Sequence, residues 1–169
     1  MLSRLLRKTI ERVAYSSVAT VEMESLTMIA EILAVSQRNN HRDRVTGALV
    51  YSDGRFFQVL EGTSADIDRV LARIASDPRH REINIISRTE VEGRLFPDWS
   101  MCTPRVSPKM APLLNKAIRA SQIAPLGAIE LVRILIADDR NRLEGEPSAQ
   151  GGETDSTDQP NQDQTIQRA

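Results

Sequence analysis

Residues 45–62, VTGALVYSDGRFFQVLEG, constrain the fold more than any other stretch of the chain. Two runs rich in β-branched and aromatic residues flank Asp53-Gly54, a dipeptide that tolerates positive φ and reverses a chain within two residues. The spacing predicts an antiparallel hairpin, 45–52 against 54–62. Side chains alternate along a strand, so Phe56, Gln58 and Leu60 share one face, and Phe57, Val59 and Glu61 the other. Gln58 is then a primary amide between a Phe and a Leu. Burying an amide without partners costs about 1–3 kcal/mol. Either a partner waits above Gln58 or that face is open to solvent.

The segments around the hairpin extend the pattern. Residues 12–17, RVAYSS, read as a short strand with Val13 and Tyr15 on one face. Leu26, Ile29, Ile32, Leu33 and Ser36 then recur at helical spacing, until the turn-prone Asn39, Asn40 and Asp43 close the helix. After the hairpin, Thr63 or Ser64 can cap a second helix whose stripe is Ile67, Val70, Leu71 and Ile74. Pro78 breaks it. Residues 83–93 and 96–103 read as two further strands. The order β-α-β-β-α-β-β predicts an α+β, ferredoxin-like sheet with two helices on one face. Ser107-Pro108 reads as a cap and first-turn proline of a third helix, with Met110, Leu113, Leu114, Ala117 and Ile118 on one side. Beyond Pro125, Ile129, Leu131, Val132, Ile134, Leu135 and Ile136 make a broad apolar surface. These C-terminal helices are expected to cap the other sheet face, and the last to bury surface against another chain.

Composition narrows the functional classes. The chain has 169 residues, 27% charged, with a net charge of −1, which gives no electrostatic case for nucleic acid as the main partner. One cysteine, Cys102, and two distant histidines, His41 and His80, exclude an internal disulfide and argue against structural metal. The lone thiol fits a reducing cytoplasm. No apolar run approaches the roughly 20 residues of a membrane helix. The basic opening MLSRLLRKTIER reads as a lead-in to the first strand rather than a targeting segment. From Glu144 onward six acids face one base and hydrophobic residues are scarce, so a disordered acidic tail is expected.

Signatures of catalysis are missing: there is no phosphate loop, nucleophile elbow, metal-spaced cluster or dinucleotide fingerprint. His80 and Cys102 lack an obvious activating partner nearby in sequence. The polar residues in odd places say more. Tyr15 and Gln58 lie mid-strand, Asn39 and Asn40 close the first helix, Arg73 lies beside the second helix's stripe, and Asp77, Arg79 and His80 finish it. With both helices on one sheet face, the cleft between them receives Tyr15 and Gln58 from below and the helix ends around its rim. Such a cleft offers hydrogen bonds to a flat polar heterocycle and apolar walls to its faces. A ferredoxin-like regulatory module binding another small ligand, or a small hydrolase using His80, are the rival readings.

The motifs YSS, SQRNN, TGALVY, GRFFQVLEG, RIASDPRH and FPDWSM occur in an order and spacing that resembles the BLUF family, blue-light sensors that bind FAD. The resemblance runs from about Val13 to Met101. It implies a ferredoxin-like sheet with the isoalloxazine held between the two helices. Carried over by position, Tyr15 matches the photoactive tyrosine and Gln58 the glutamine between it and the flavin. Asn40, with Asn39 beside it, matches the asparagine at the C4=O/N3 edge, and Arg73 a basic residue toward C2=O. Asp77, Arg79 and His80 fall where the family contacts the flavin or its ribityl chain, and Trp99 and Met101 match a pair that relays the signal. Two apart on a strand, this pair is expected to share a face near Gln58. On this reading 1–11 is an extension, 12–104 the flavin-binding domain, 105–143 a helical output segment and 144–169 a tail.

The resemblance further implies a photosensory protein that is not itself an enzyme and that binds no metal. It signals as a homo-oligomer to a separate partner, such as a cyclic-nucleotide enzyme or regulator, with neither nucleic acid nor membrane involved. One departure stands out. Where many relatives read Gly-Ile-Thr-Gly, this chain has Arg44-Val45-Thr46-Gly47, and a glycine there would permit a left-handed turn that strains an arginine.

Overall fold

In the computed structural model the described residues are 9–20 and 26–145. The opening 1–8, the tail from 146, and the side chain of Leu26 in the first helical stripe lie outside them. Four strands, β1 (Ile10–Ala19), β2 (Thr46–Ser52), β3 (Arg55–Gly62) and β4 (His80–Val91), form one antiparallel sheet in the order β2-β3-β1-β4. The hairpin forms as its sequence requires. Asp53 and Gly54 have φ of 51° and 71°, and Ser52 pairs with Arg55, which is a two-residue turn of the type that matches strand twist.

Helices α1 (Leu26–Arg42) and α2 (Ser64–Ala75) cover one sheet face; α3 (Ala111–Ala120) and α4 (Pro125–Gly145) cover the other. Two cores result, and strand alternation sorts residues between them. Tyr15, Leu49, Phe56 and Leu60 meet Ile32 and Val70 on the α1/α2 side. Ala14, Ala48, Val50, Phe57 and Val59 meet Leu114, Ile118, Ile129 and Val132 on the other. Full burial of a side chain such as Phe56 or Phe57 contributes about 2–3 kcal/mol each. Thr63 is the cap of α2, its Oγ1 accepting from Asp66 N.

Three expectations are corrected. The helix predicted to start at Ser107-Pro108 starts at Ala111 instead: Ser107 O accepts from Met110 N and Ala111 N in a preceding turn, and a later proline takes the first-turn position. Second, β4 begins at His80, because Ala19 and Val18 at the end of β1 draw His80 and Arg81 into register. Two register shifts bulge β4; Ile83 packs on the α1/α2 core, Ile86 on the other, and Ile85 is 44% exposed.

Third, the strand predicted over 96–103 is reduced to a single parallel bridge, Ala48 with Cys102, at the free edge of β2. Cys102 N donates to Gly47 O and Leu49 N to Cys102 O, as in a regular parallel ladder, but Gly47 N donates to Trp99 O. Regular pairing would place the carbonyl of residue 100 there. One extra residue is therefore inserted between Trp99 and Met101, and strand parity is lost. Gly47 is required at this junction, since a Cβ on it would stand 2.0 Å from Val59 O.

Candidate chromophore site

The cleft between α1 and α2 opens over β1 and β3, with Ile32, Leu49, Val70 and Ile74 as apolar walls. Tyr15 and Gln58 rise from its floor as directly opposed residues of β1 and β3, and Leu49 of β2 opposes Gln58 on the far side. Asn39 and Asn40 enter from the last turn of α1, Arg73 from the last turn of α2, and Asp77, Arg79 and His80 from the connection into β4. The fold thus gathers eight of the ten site residues read from sequence into one cleft. Trp99 and Met101 do not line it.

Gln58 is 4% exposed, and its amide is engaged at both ends. The Tyr15 hydroxyl donates to Gln58 Oε1, and Gln58 Nε2 donates to Met101 Sδ at 3.2 Å. Burial raises the Tyr15 pKa well above its ordinary value, and the Asp77 carboxylate adds to the shift, so the phenol is neutral and keeps its proton to donate. The partner that pattern alone required for Gln58 is therefore a phenol on one side and a thioether on the other.

The rim is tied together by charge. Arg79 Nε donates to Asp77 Oδ1 at 2.9 Å, and this bond is the main cause holding the Asp77 carboxyl below the usual carboxylate range. Burial lowers the His80 pKa, Asp77 opposes this and Arg79 reinforces it, so the imidazole is held neutral. His80 Nδ1 is hydrogen-bonded to Ser17 Oγ at 2.8 Å, and its ring stacks on Phe56 at 4.5 Å between centroids. Arg73 is ion-paired with Asp43. Burial alone would raise the Asp43 pKa, but hydrogen bonds from Arg42 and Arg73 outweigh it and lower the value.

Met101 and Trp99 do not share a face. Met101 is buried in the α1/α2 core against Gln58, whereas Trp99 packs on the α3/α4 core, as the inserted residue dictates. Side chains of α1 hold the segment between them: Asn40 Nδ2 donates to Ser100 O at 2.9 Å and Gln37 Nε2 to Met101 O at 3.0 Å. Neither Gln37 nor Ser17 was singled out in the sequence, and Asp43 was read only as a turn residue. Gln37 was within reach, because it lies three residues from Asn40 and so on the same side of the helix. Glu61, 0% exposed on the opposite face, accepts from Arg12 Nε at 2.7 Å, Leu95 N at 2.9 Å and Phe96 N at 3.0 Å, and anchors the start of that segment. The Cys102 thiol, pushed up to about 12 by burial, donates to Gly47 O and is no nucleophile. Among the described residues no cluster of His, Cys, Asp or Glu has the arrangement of a metal site, and no helix is long and apolar enough to cross a membrane.

Three side-chain amides, two guanidiniums and a neutral imidazole thus border a slot with aliphatic walls. That donor set suits a flat ring with a polar edge and two apolar faces. The sequence profile of the family described as BLUF, sensors of blue light using FAD, matches residues 10–102. The chain belongs to the BLUF family, its cofactor is FAD, and the sheet with its two covering helices is that family's photosensory module. The dark-state structure of BlrB, a BLUF protein, superposes with a TM-score of 0.65 at 30% identity over 78% of this chain and 98% of that one. A bacterial light-regulated adenylyl cyclase gives a TM-score of 0.60, also at 30% identity, over 75% of this chain and 40% of the other. The β subunit of photoactivated adenylate cyclase from Euglena gracilis is 37% identical over 93 residues, 54% of this chain. That stretch is 11% of the cyclase subunit, so the chain corresponds to a small part of the curated relatives it matches.

Proposed function

We propose that this protein converts blue light into a rearranged hydrogen-bond network at Gln58 and passes it through residues 97–102 to α3 and α4, and from there to an effector protein. Bound FAD, once excited by blue light, supplies a strong oxidant. Tyr15 would give up one electron to it and pass its proton along the bond it already makes to Gln58 Oε1, and both would return to the phenol on recombination, so no net oxidation remains. Gln58 carries the change because its amide has a donor and an acceptor end, which rotation or tautomerisation exchanges. Asn39 and Asn40 hold the ring's polar edge, Arg73 the opposite carbonyl side, and Asp77, Arg79 and His80 the ribityl side. Arg73 and Asn40 have N–H groups to spare beyond their bonds to Asp43 and Ser100.

The observation that carries this reading is the placement of the Gln58 amide between a donor and an acceptor. A thioether sulfur only accepts. If the amide turns, its oxygen faces Met101 Sδ and the bond from Nε2 is lost, so Met101 distinguishes the two orientations. Its displacement pulls on Ser100 and Trp99, which feed the α3/α4 side. The effector is read as a cyclic-nucleotide enzyme or its regulator, because named relatives are photoactivated cyclases. Self-association is read as using Ile123, 92% exposed in the turn before α4, and Leu126, 75% exposed in its first turn. Tyr15→Phe tests the chemistry: flavin stays bound and the reversible light-induced red shift disappears. A normal photocycle in that variant would refute the role given to Tyr15.

A further inference from the structure

Trp99 leaves the sheet edge on the side opposite Met101, and α4 meets it there. The Arg140 guanidinium carbon stands 5.7 Å from the indole centroid, and Arg140 Nη1 lies 3.6 Å from Asp98 Oδ2. One cation on α4 therefore touches two consecutive residues of the segment that carries Met101. The Asp98 contact alone would hold little, because the two side chains are 52% and 64% exposed and water screens them. The indole is half-buried, which makes the contact over its face the less screened of the two.

The position of Arg140 along α4 gives this contact its leverage. Ile136 is the last buried residue of the helix among those described; Ala137, Asp138, Arg140, Asn141 and Arg142 are exposed. Among the described side chains, those of residues 137–142 thus dock the end of α4 by polar contacts rather than by a core. Asp139 supplies another, accepting from Arg105 N at 3.4 Å. At 5.7 Å the cation is near the outer limit of about 6 Å at which such contacts count, so a small movement of the indole ends it. Clefts of about 390 Å³ and 370 Å³ adjoin Trp99 and leave the ring room to move.

We infer that Arg140 is a positioning residue of the output path: it ties the C-terminal turns of α4 to Trp99 and Asp98, and displacement of residues 98–101 releases that tie. The inference rests on the light-driven rearrangement proposed above and adds where it is expressed, as lost order in residues 137–145.

Amide hydrogen exchange on the FAD-loaded full chain, in the dark and under blue light, tests it. In the unmodified protein, light should speed exchange over 137–145 roughly two- to five-fold, the range expected for loss of one such contact. Arg140→Gln should show the faster rate already in darkness, with no further change in light, while the flavin red shift keeps its size. Arg140→Lys keeps a cation and should restore part of the dark protection. The inference is overturned if Arg140→Gln exchanges in darkness like the unmodified protein, or if its faster exchange spreads over the whole domain. If the unmodified protein shows no red shift, the photochemical reading fails instead, and the dark comparison still decides whether Arg140 holds α4.

Discussion

Replacing Glu61 by Gln alters the charge and hydrogen-bonding pattern of one fully buried side chain with almost no change in shape. Glu61 Oε1 serves Arg12 Nε and Leu95 N, and Oε2 serves Phe96 N. A glutamine oxygen can keep the first two bonds, but its amide nitrogen then meets the Phe96 N–H, donor against donor. Bonds to a charged group are worth about 1.5–3 kcal/mol each, against about 1 for neutral ones. The substitution therefore weakens two bonds by roughly 1 kcal/mol each and loses the third with a buried N–H left unpaired. The expected cost is about 3–5 kcal/mol, in line with removing one partner of a buried ion pair. With a urea slope of about 1–3 kcal/mol/M, the unfolding midpoint should fall by about 2 M with the slope unchanged. Urea titration of the flavin-loaded protein, followed by circular dichroism, measures this. A loss below about 1 kcal/mol would refute the assignment of Glu61 as the anchor of residues 95–96.

Arg44 has a φ of 56°, the left-handed conformation the sequence departure warned of, and a non-glycine residue there is strained by about 1–2 kcal/mol. Arg44→Gly should relieve the strain at an unfolded-state entropy cost of about 0.4–1 kcal/mol, a net gain of roughly 0.5–1 kcal/mol in urea unfolding. A loss of stability would mean that the arginine side chain outweighs its backbone strain. His80 titrates below its ordinary value when folded, so the unfolded chain takes up its proton first as pH falls. Its stabilising contribution is complete above about 6.5 and is lost as pH drops through the window beneath. His80→Gln should flatten the fall in unfolding free energy between about pH 7 and 5, and an unchanged slope would exclude His80 as its source.

Much of the site was legible because period-two alternation and the Asp53-Gly54 turn assign faces without reference to the rest of the molecule. Tyr15 and Gln58 were each assigned a face of their own strand from their neighbours alone, and the helix ends were located by turn-prone residues. The contacts of His80 with Ser17 and Phe56 were not legible, because they join residues 63 and 24 positions apart across β1 and β3. Nor was the start of α3, where a proline at the expected place belongs to a preceding turn.

The sequence by itself determined that two helices lie over one face of a hairpin-built sheet with Tyr15 and Gln58 beneath them, because hydrophobic period and turn chemistry are local properties. The side on which Trp99 and Met101 each stand was decided only by the tertiary structure. Residues 97–102 pair through one bridge, and their course is set by Glu61, Gln37, Asn40 and the bare backbone of Gly47, all remote in sequence. One residue inserted there sends Met101 to Gln58 and Trp99 to Arg140. No alternation within the segment could reveal it, because strand parity holds only while each residue of one strand has one partner on the next.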